Sequence, residues 1–135
     1  MTSQEPVTSP METEPVLILI VDDEEPIVEM LAGFIEDLGY TALVAQNGQQ
    51  ALKLARERWP ALIITDLMMP VLNGADLIRA LHAEAAARER ATPPVVMLTA
   101  GSARAASHLH VDALLLKPFD LDQLERVIRR LLKSS

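Results

Sequence analysis

The sequence predicts an α/β domain: five βα units around one parallel sheet that is covered on both faces. Three observations lead there. Short apolar runs rich in β-branched residues, Val16–Val21, Thr41–Ala45, Ala61–Asp66, Val95–Thr99 and Ala113–Leu116, alternate with longer stretches of helical period. The runs are close to continuously apolar, as strands buried on both faces are. The length of 135 residues allows a single domain. With 50% apolar and 23% charged residues, the composition is that of a chain able to bury one core of its own.

The first 15 residues hold three prolines, three glutamates and five hydroxyl residues, with almost nothing to bury, and are expected to be a disordered tail. The folded unit is expected over residues 16–133. After the first strand, Ile27, Met30, Leu31, Phe34, Ile35 and Leu38 recur at helical spacing, with Pro26 suited to the first turn and Gly39 to the end. The second helix, about Gly48–Arg58, opens on Asn47 with Gln50 three residues on, a capping-box pattern, and Trp59-Pro60 stops it. Asn73-Gly74 begins a third helix that runs toward Arg90. The fourth is weak, with only Ala105, Ala106 and Leu109 as plausible buried positions. Asp120 with Gln123 caps the fifth, whose Leu121, Leu124, Val127, Ile128, Leu131 and Leu132 form one stripe. The order is (βα)5.

Composition narrows the function. Aromatics are 3% of residues, too few for a surface that stacks on bases, and a net charge of −7 repels phosphate backbones and anionic lipid. Neither nucleic acid nor membrane is an expected partner. The chain has no cysteine, which removes disulfides, thiolate metal sites and thiol nucleophiles and fits a cytoplasmic location. The longest apolar run, Val16–Val21, is too short to span a bilayer, and Met1–Pro10 lacks the pattern of a signal peptide.

In an open parallel sheet, ligands bind beyond the carboxyl ends of the strands. There the first strand runs into Asp22 and Asp23, the third ends on Asp66, the fourth on Thr99, and the fifth delivers Lys117-Pro118. Three carboxylates at one edge repel each other unless a cation lies among them, and an all-oxygen donor set with few protein ligands suits Mg2+. Lys117 adds a point charge able to hold a phosphoryl group, and the Thr99 hydroxyl can donate to another of its oxygens. A carboxylate can itself be the nucleophile and form an aspartyl phosphate, so the set describes a phosphoryl-transfer site.

These residues resemble the receiver domains of two-component response regulators. The match spans Val16–Leu132 and rests on four pieces in order: LILIVDDEE, LIITDLMMPVLNG, VVMLTA and LLLKPF. The resemblance implies a flavodoxin-like, doubly wound sheet of strand order 2-1-3-4-5. It implies that Asp66 is the phosphoacceptor and that Asp22, Asp23, Asp66 and the Met68 backbone carbonyl hold Mg2+. It further implies that Thr99 and Lys117 bind phosphoryl oxygens, that Lys117-Pro118 is cis, and that Ala100 leaves room for the phosphodonor. The partners implied are a sensor histidine kinase or phosphotransfer protein and a downstream protein target. A single-domain switch is expected, acting by binding and turning over no separate substrate.

Three positions depart from the family pattern. Leu114 stands where an aromatic switch residue is usual, His110-Val111 where a glycine is favoured, and Thr99 and Lys117 are closer together than in the chemotaxis regulator by about one helical turn. All three fall on the surface of the fourth helix, fifth strand and fifth helix, where such domains dimerise or dock targets, so Thr99 and Leu114 form an atypical switch. A phospho-independent interaction module, or a phosphoryl shuttle or sink, is the alternative role. Met68 and Gly101 carry no polar side chain to orient an attacking water, so slow self-dephosphorylation is expected. A haloacid-type hydrolase is disfavoured because Asp22-Asp23 lacks D-x-D spacing.

Read singly, Asp22-Asp23 would be a solvated helix start, Thr99 a strand-end hydroxyl and Lys117 a solvated charge; only their joint order argues otherwise. Glu24 and Glu25 read as compensation of the helix dipole. Arg88, Glu89 and Arg90 read as a solvated helix end, and His82, His108 and His110 as unrelated to metal. The initiating Met1 and the finish at Ser134-Ser135 lean toward a complete chain.

Overall fold

A computed structural model describes residues 15–69, 72–100 and 111–133. Five parallel strands, β1 (Leu17–Val21), β2 (Thr41–Ala45), β3 (Leu62–Asp66), β4 (Val95–Thr99) and β5 (Ala113–Leu116), lie in the order β2-β1-β3-β4-β5. This is the doubly wound order 2-1-3-4-5. Helices α1 (Glu25–Asp37), α2 (Gly48–Glu57) and α3 (Gly74–Ala87) follow the first three strands, and a C-terminal helix, Leu121–Lys133, follows β5. The fourth predicted helix with Ala105, Ala106 and Leu109, the N-terminal tail through residue 14, Gly101, His108 and His110 lie outside the described residues.

Side-chain alternation along the strands sorts the core into two clusters, one on each face. Leu19, Val21, Ile63, Val95 and Met97 pack with Ala51 and Ala55 of α2 and Leu77, Ile78 and Leu81 of α3. Ile18, Ile20, Leu62, Ile64, Val96 and Leu98 pack with Leu31 and Ile35 of α1 and Leu124 and Ile128 of the C-terminal helix. Because β1, β3 and β4 are covered on both faces, they are apolar at nearly every position.

Local signals set the helix starts. The Asn47 side chain accepts from the Gln50 N–H (2.8 Å), while the Gln50 side chain accepts from the Gln46 N–H (2.7 Å) and not from that of Asn47. Asn73 caps α3 by accepting from the Asp76 N–H at 2.9 Å. Asp120 accepts from the Asp122 N–H at 2.9 Å, one residue short of the predicted Gln123 partner.

Two sequence expectations are corrected. In α1 the buried residues are Val28, Leu31 and Ile35, whereas Met30 is 43% exposed. At 3.6 residues per turn Met30 lies roughly 130° around the helix from the centre of that stripe. It lines an open apolar groove with Ile27, Pro118 and Phe119 instead. Arg88 is not a solvated helix end: it is half-buried, pairs with Glu84 at 2.9 Å, donates to the Arg56 carbonyl at 2.8 Å and stacks 4.9 Å from the Trp59 ring centroid. Arg90 lies 5.5 Å from the same ring, and Arg56 pairs with Glu84 at 3.0 Å, so the far ends of α2 and α3 are tied together.

The α1 correction gives a direct stability test. Leu31→Ala is expected to cost about 2–5 kcal/mol in urea unfolding, because it opens a cavity against the sheet. Met30→Ala should stay within about 0.5 kcal/mol of wild type. Equal losses from the two would place the buried face of α1 elsewhere.

Candidate functional site

The strand ends deliver the polar residues because the backbone ladder continues one step past the apolar runs. The Asp22 N–H donates to the Ala45 carbonyl (3.2 Å), the Leu67 N–H to that of Leu98 (2.9 Å), and the Lys117 N–H to that of Thr99 (2.8 Å). Thus Asp22, Asp66, Thr99 and Lys117 are each fixed by a neighbouring strand at the carboxyl edge. The Lys117-Pro118 peptide is cis.

Asp22, Asp23 and Asp66 converge, each offering a carboxylate oxygen within 4.8 Å of the others. Asp22 is fully buried and Asp66 nearly so, while Asp23 is exposed. The Asp22 Oδ1 accepts from the Glu24 N–H at 2.9 Å, which fixes its orientation and leaves Oδ2 for Lys117. The Lys117 Nζ lies 3.1 Å from Asp22 Oδ2, 3.5 Å from Asp66 Oδ2 and 3.9 Å from Glu24 Oε1.

The electrostatics follow from burial and these contacts. For Asp66, burial raises the pKa; the Lys117 charge opposes it, the Asp22 charge reinforces it, and hydrogen bonds from Lys117 and the Met68 N–H lower it in part. The outcome is a carboxyl held above the usual aspartate range. For Lys117, burial works against the charge, but the hydrogen bond and charge of Asp22, then the charges of Asp66 and Glu24, outweigh it and hold the ammonium above its ordinary pKa. One partly buried cation therefore faces a cluster of three aspartates, and the negative charge is in excess.

That imbalance is the test for a metal. Three carboxylates of hard oxygen, one of them exposed, fit a hard divalent cation that keeps several waters, and they do not fit a soft or borderline metal. Met68 lies in the loop after β3; it is 70% exposed and its N–H serves Asp66.

Thr99 is buried at the end of β4, in register with Leu116 of β5, as Met97 is with Leu114. By strand alternation Thr99 lies on the same face as Met97. Leu114 is half-buried and packs on that face, against the cluster that contains Met97. The two predicted switch positions therefore share a sheet face. Ala100 is exposed and, with Lys117, lines the apolar groove. His82 is elsewhere, 3.0 Å from the Thr92 hydroxyl.

Glu24, read from the sequence as dipole compensation, is a third carboxylate beside Lys117 among the described residues, at 3.9 Å. Its position two residues after Asp22 offered no signal, because only the turn into α1 brings it back over the pocket.

The comparisons agree with this geometry. The family model for the response regulator receiver domain matches residues 18–129. The response regulator Rre1 of Synechocystis sp. is 37% identical over 124 residues, covering 88% of this chain and 52% of its own. Among solved structures, chemotaxis protein CheY4 of Vibrio cholerae superposes with a TM-score of 0.78 at 27% identity, covering 88% of this chain and 100% of that one. The receiver domain of the response regulator Ssk1 of Saccharomyces cerevisiae, co-crystallised with the histidine phosphotransfer signaling protein Ypd1, gives 0.79 at 26% identity, covering 87% and 88%. The chain belongs to the response regulator receiver domain family of two-component systems. It spans about half the length of the curated relatives it matches. Among the described residues, no helix is long and apolar enough to cross a membrane.

The raised Asp66 pKa fixes the sign of a pH effect. A raised carboxyl favours the folded state while it is protonated, and that contribution is lost as pH rises through the folded pKa. In metal-free buffer Asp66→Asn is therefore expected to melt at a higher temperature than wild type at pH 7, with the difference shrinking as pH falls toward 4. A wild type that melts higher at pH 7 would contradict the crowding of like charges in this pocket.

Proposed function

We propose that this chain is a phosphorylation switch in a two-component phosphorelay: Asp66 accepts a phosphoryl group from a histidine kinase or phosphotransfer protein, and the modified domain signals by binding a protein target. The observation that carries this reading is the convergence of Asp22, Asp23 and Asp66 with Lys117 at the carboxyl edge of the sheet. The yeast neighbour solved with a histidine phosphotransfer protein supports the donor class.

An Asp66 carboxylate oxygen attacks the phosphorus of a phosphohistidine, a P–O bond forms, the P–N bond breaks, and the leaving imidazole keeps the electron pair and takes up a proton from solvent. Lys117 remains an ammonium across the physiological range, because the carboxylates around it hold its pKa up. It is placed to pair with a phosphoryl oxygen once Asp66 is modified, at the expense of its contacts to free carboxylates. The Thr99 hydroxyl, on the neighbouring strand, donates to a second oxygen. Asp22, Asp23, Asp66 and the Met68 carbonyl would hold Mg2+, whose charge, when bound, offsets that spread over the transferring oxygens.

Output is a binding event and not turnover: the new charge on Asp66 biases Thr99, and with it Leu114 on the same face. Leucine has neither ring nor hydroxyl to offer a partner, so position 114 signals by packing alone. The exposed Met68 thioether next to Asp66 is a poor hydrogen-bond partner for an attacking water, which favours a long-lived phosphoryl group.

Acetyl phosphate with Mg2+, followed on a phosphate-affinity gel, tests the reading. Wild type is expected to give a shifted band that persists for minutes or longer after donor removal, and Asp66→Asn none. No shifted wild-type band would favour the phospho-independent module, and decay within seconds would overturn the slow-hydrolysis expectation.

A further inference from the structure

Residues 67–69 and 72–73, the described parts of the loop that follows Asp66, are held at three points, one of them from outside their own βα unit. The loop's start is fixed by the Leu67 N–H on the Leu98 carbonyl, and its end folds back as the Gly74 N–H donates to the Leu67 carbonyl, both at 2.9 Å. Gly74 has no space for a side chain: a Cβ there would lie 2.5 Å from the Asp66 carbonyl oxygen and 3.0 Å from Leu67 Cα. The third point is on α2. Gly48, the buried first residue of that helix, donates its N–H to the Leu72 carbonyl at 3.2 Å.

This donor is one of the N–H groups that a helix start leaves without an intrahelical partner. The capping side chains of Asn47 and Gln50 serve Gln50 and Gln46, so the Gly48 N–H goes to the loop. The approach requires a bare Cα. A Cβ on Gly48 would strike the Leu72 carbonyl oxygen and lie 2.9 Å from Leu72 Cβ and 3.0 Å from its Cγ. These are atoms at the root of a residue, not the end of a flexible side chain.

Which partner would yield is settled at the other end of α2. There Arg56 pairs with Glu84 of α3, and Arg88 donates to the Arg56 carbonyl. Ala51 and Ala55 of α2 are buried in the same cluster as Met69 of the loop. The helix is held at its far end and along its length, so the displacement would fall on the loop.

We propose that Gly48 is a positioning residue for the phosphoacceptor loop: the bare first residue of α2 sets how deep the loop sits, and so where the Met68 backbone stands beside Asp66. This rests on the reading of Asp66 as phosphoacceptor in a Mg2+ pocket, and it adds that α2, which contributes no group to the pocket, governs its geometry. A partner that shifts α2 would therefore change cation affinity and phosphoryl acceptance without touching either.

The test compares 15N-labelled wild type, Gly48→Ala and Gly33→Ala. Gly33 is a helical glycine in α1 with open space where a Cβ would go, so it controls for the substitution itself. In metal-free protein, Gly48→Ala should move the amide resonances of Leu67, Met68 and Leu72, and Gly33→Ala should leave them in place. In a Mg2+ titration, Gly48→Ala should need about tenfold more cation for half-saturation, the lower end of what loss of an outer-shell support costs. Unmoved loop resonances and unchanged affinity would overturn the proposal. Should Gly48→Ala fail to fold, the wild-type Gly48 amide decides: it is expected to shift during the Mg2+ titration at the same midpoint as Met68, and an unmoved amide would overturn the proposal. If wild type binds no Mg2+, the reading of the pocket fails, while the metal-free resonances still judge the clamp.

Discussion

The contact on which the rest depends is the ion pair between Lys117 and the buried Asp22. Removing two charges from water costs several kcal/mol per ion and is recovered only with good geometry and further hydrogen bonds. Here the Asp22 carboxylate has both, with Glu24 donating to one oxygen and Lys117 to the other. The pairing joins β1 to β5, residues 95 positions apart in the chain. Yet the same ammonium also lies 3.5 Å from Asp66 Oδ2, so one cation is set against three clustered aspartates. The pocket is therefore stable enough to exist and too negative to be at rest, the state in which a divalent cation or a phosphoryl group with its counter-charge changes most.

The fold makes this arrangement possible by separating two tasks. The central strands β1, β3 and β4 commit their apolar side chains to the two clusters and, within β3 and β4, leave the last residues, Asp66 and Thr99, for chemistry. Chemistry is confined to the step where a strand ends and the neighbouring ladder still supplies a hydrogen bond. Asp22, Asp66, Thr99 and Lys117 all occupy that step, and alternation decides the rest, sending Thr99 and Leu114 to the same face.

What the sequence made legible follows this division. The strands were readable because burial on both faces writes a continuous apolar run, and the pocket was readable because its residues end those runs in a fixed order. Met30 looks buried and Val28 goes unremarked in the sequence because helical spacing alone admits either; only packing fixes the phase of the stripe. Arg88 looks solvent-exposed in the sequence because its partners, Glu84 apart, lie about 30 residues earlier, at Arg56 and Trp59. Gly48 looks like an ordinary helix start in the sequence because a close approach to Leu72 is a tertiary fact with no local signature.

The central claim is that uncompensated carboxylate charge defines this site, and cation binding to the folded protein tests it most directly. Thermal midpoints of wild type should rise with Mg2+ concentration in the manner of a ligand that binds only the folded state, well beyond the effect of NaCl at equal ionic strength. A midpoint that responds to Mg2+ no more than to NaCl would contradict the account.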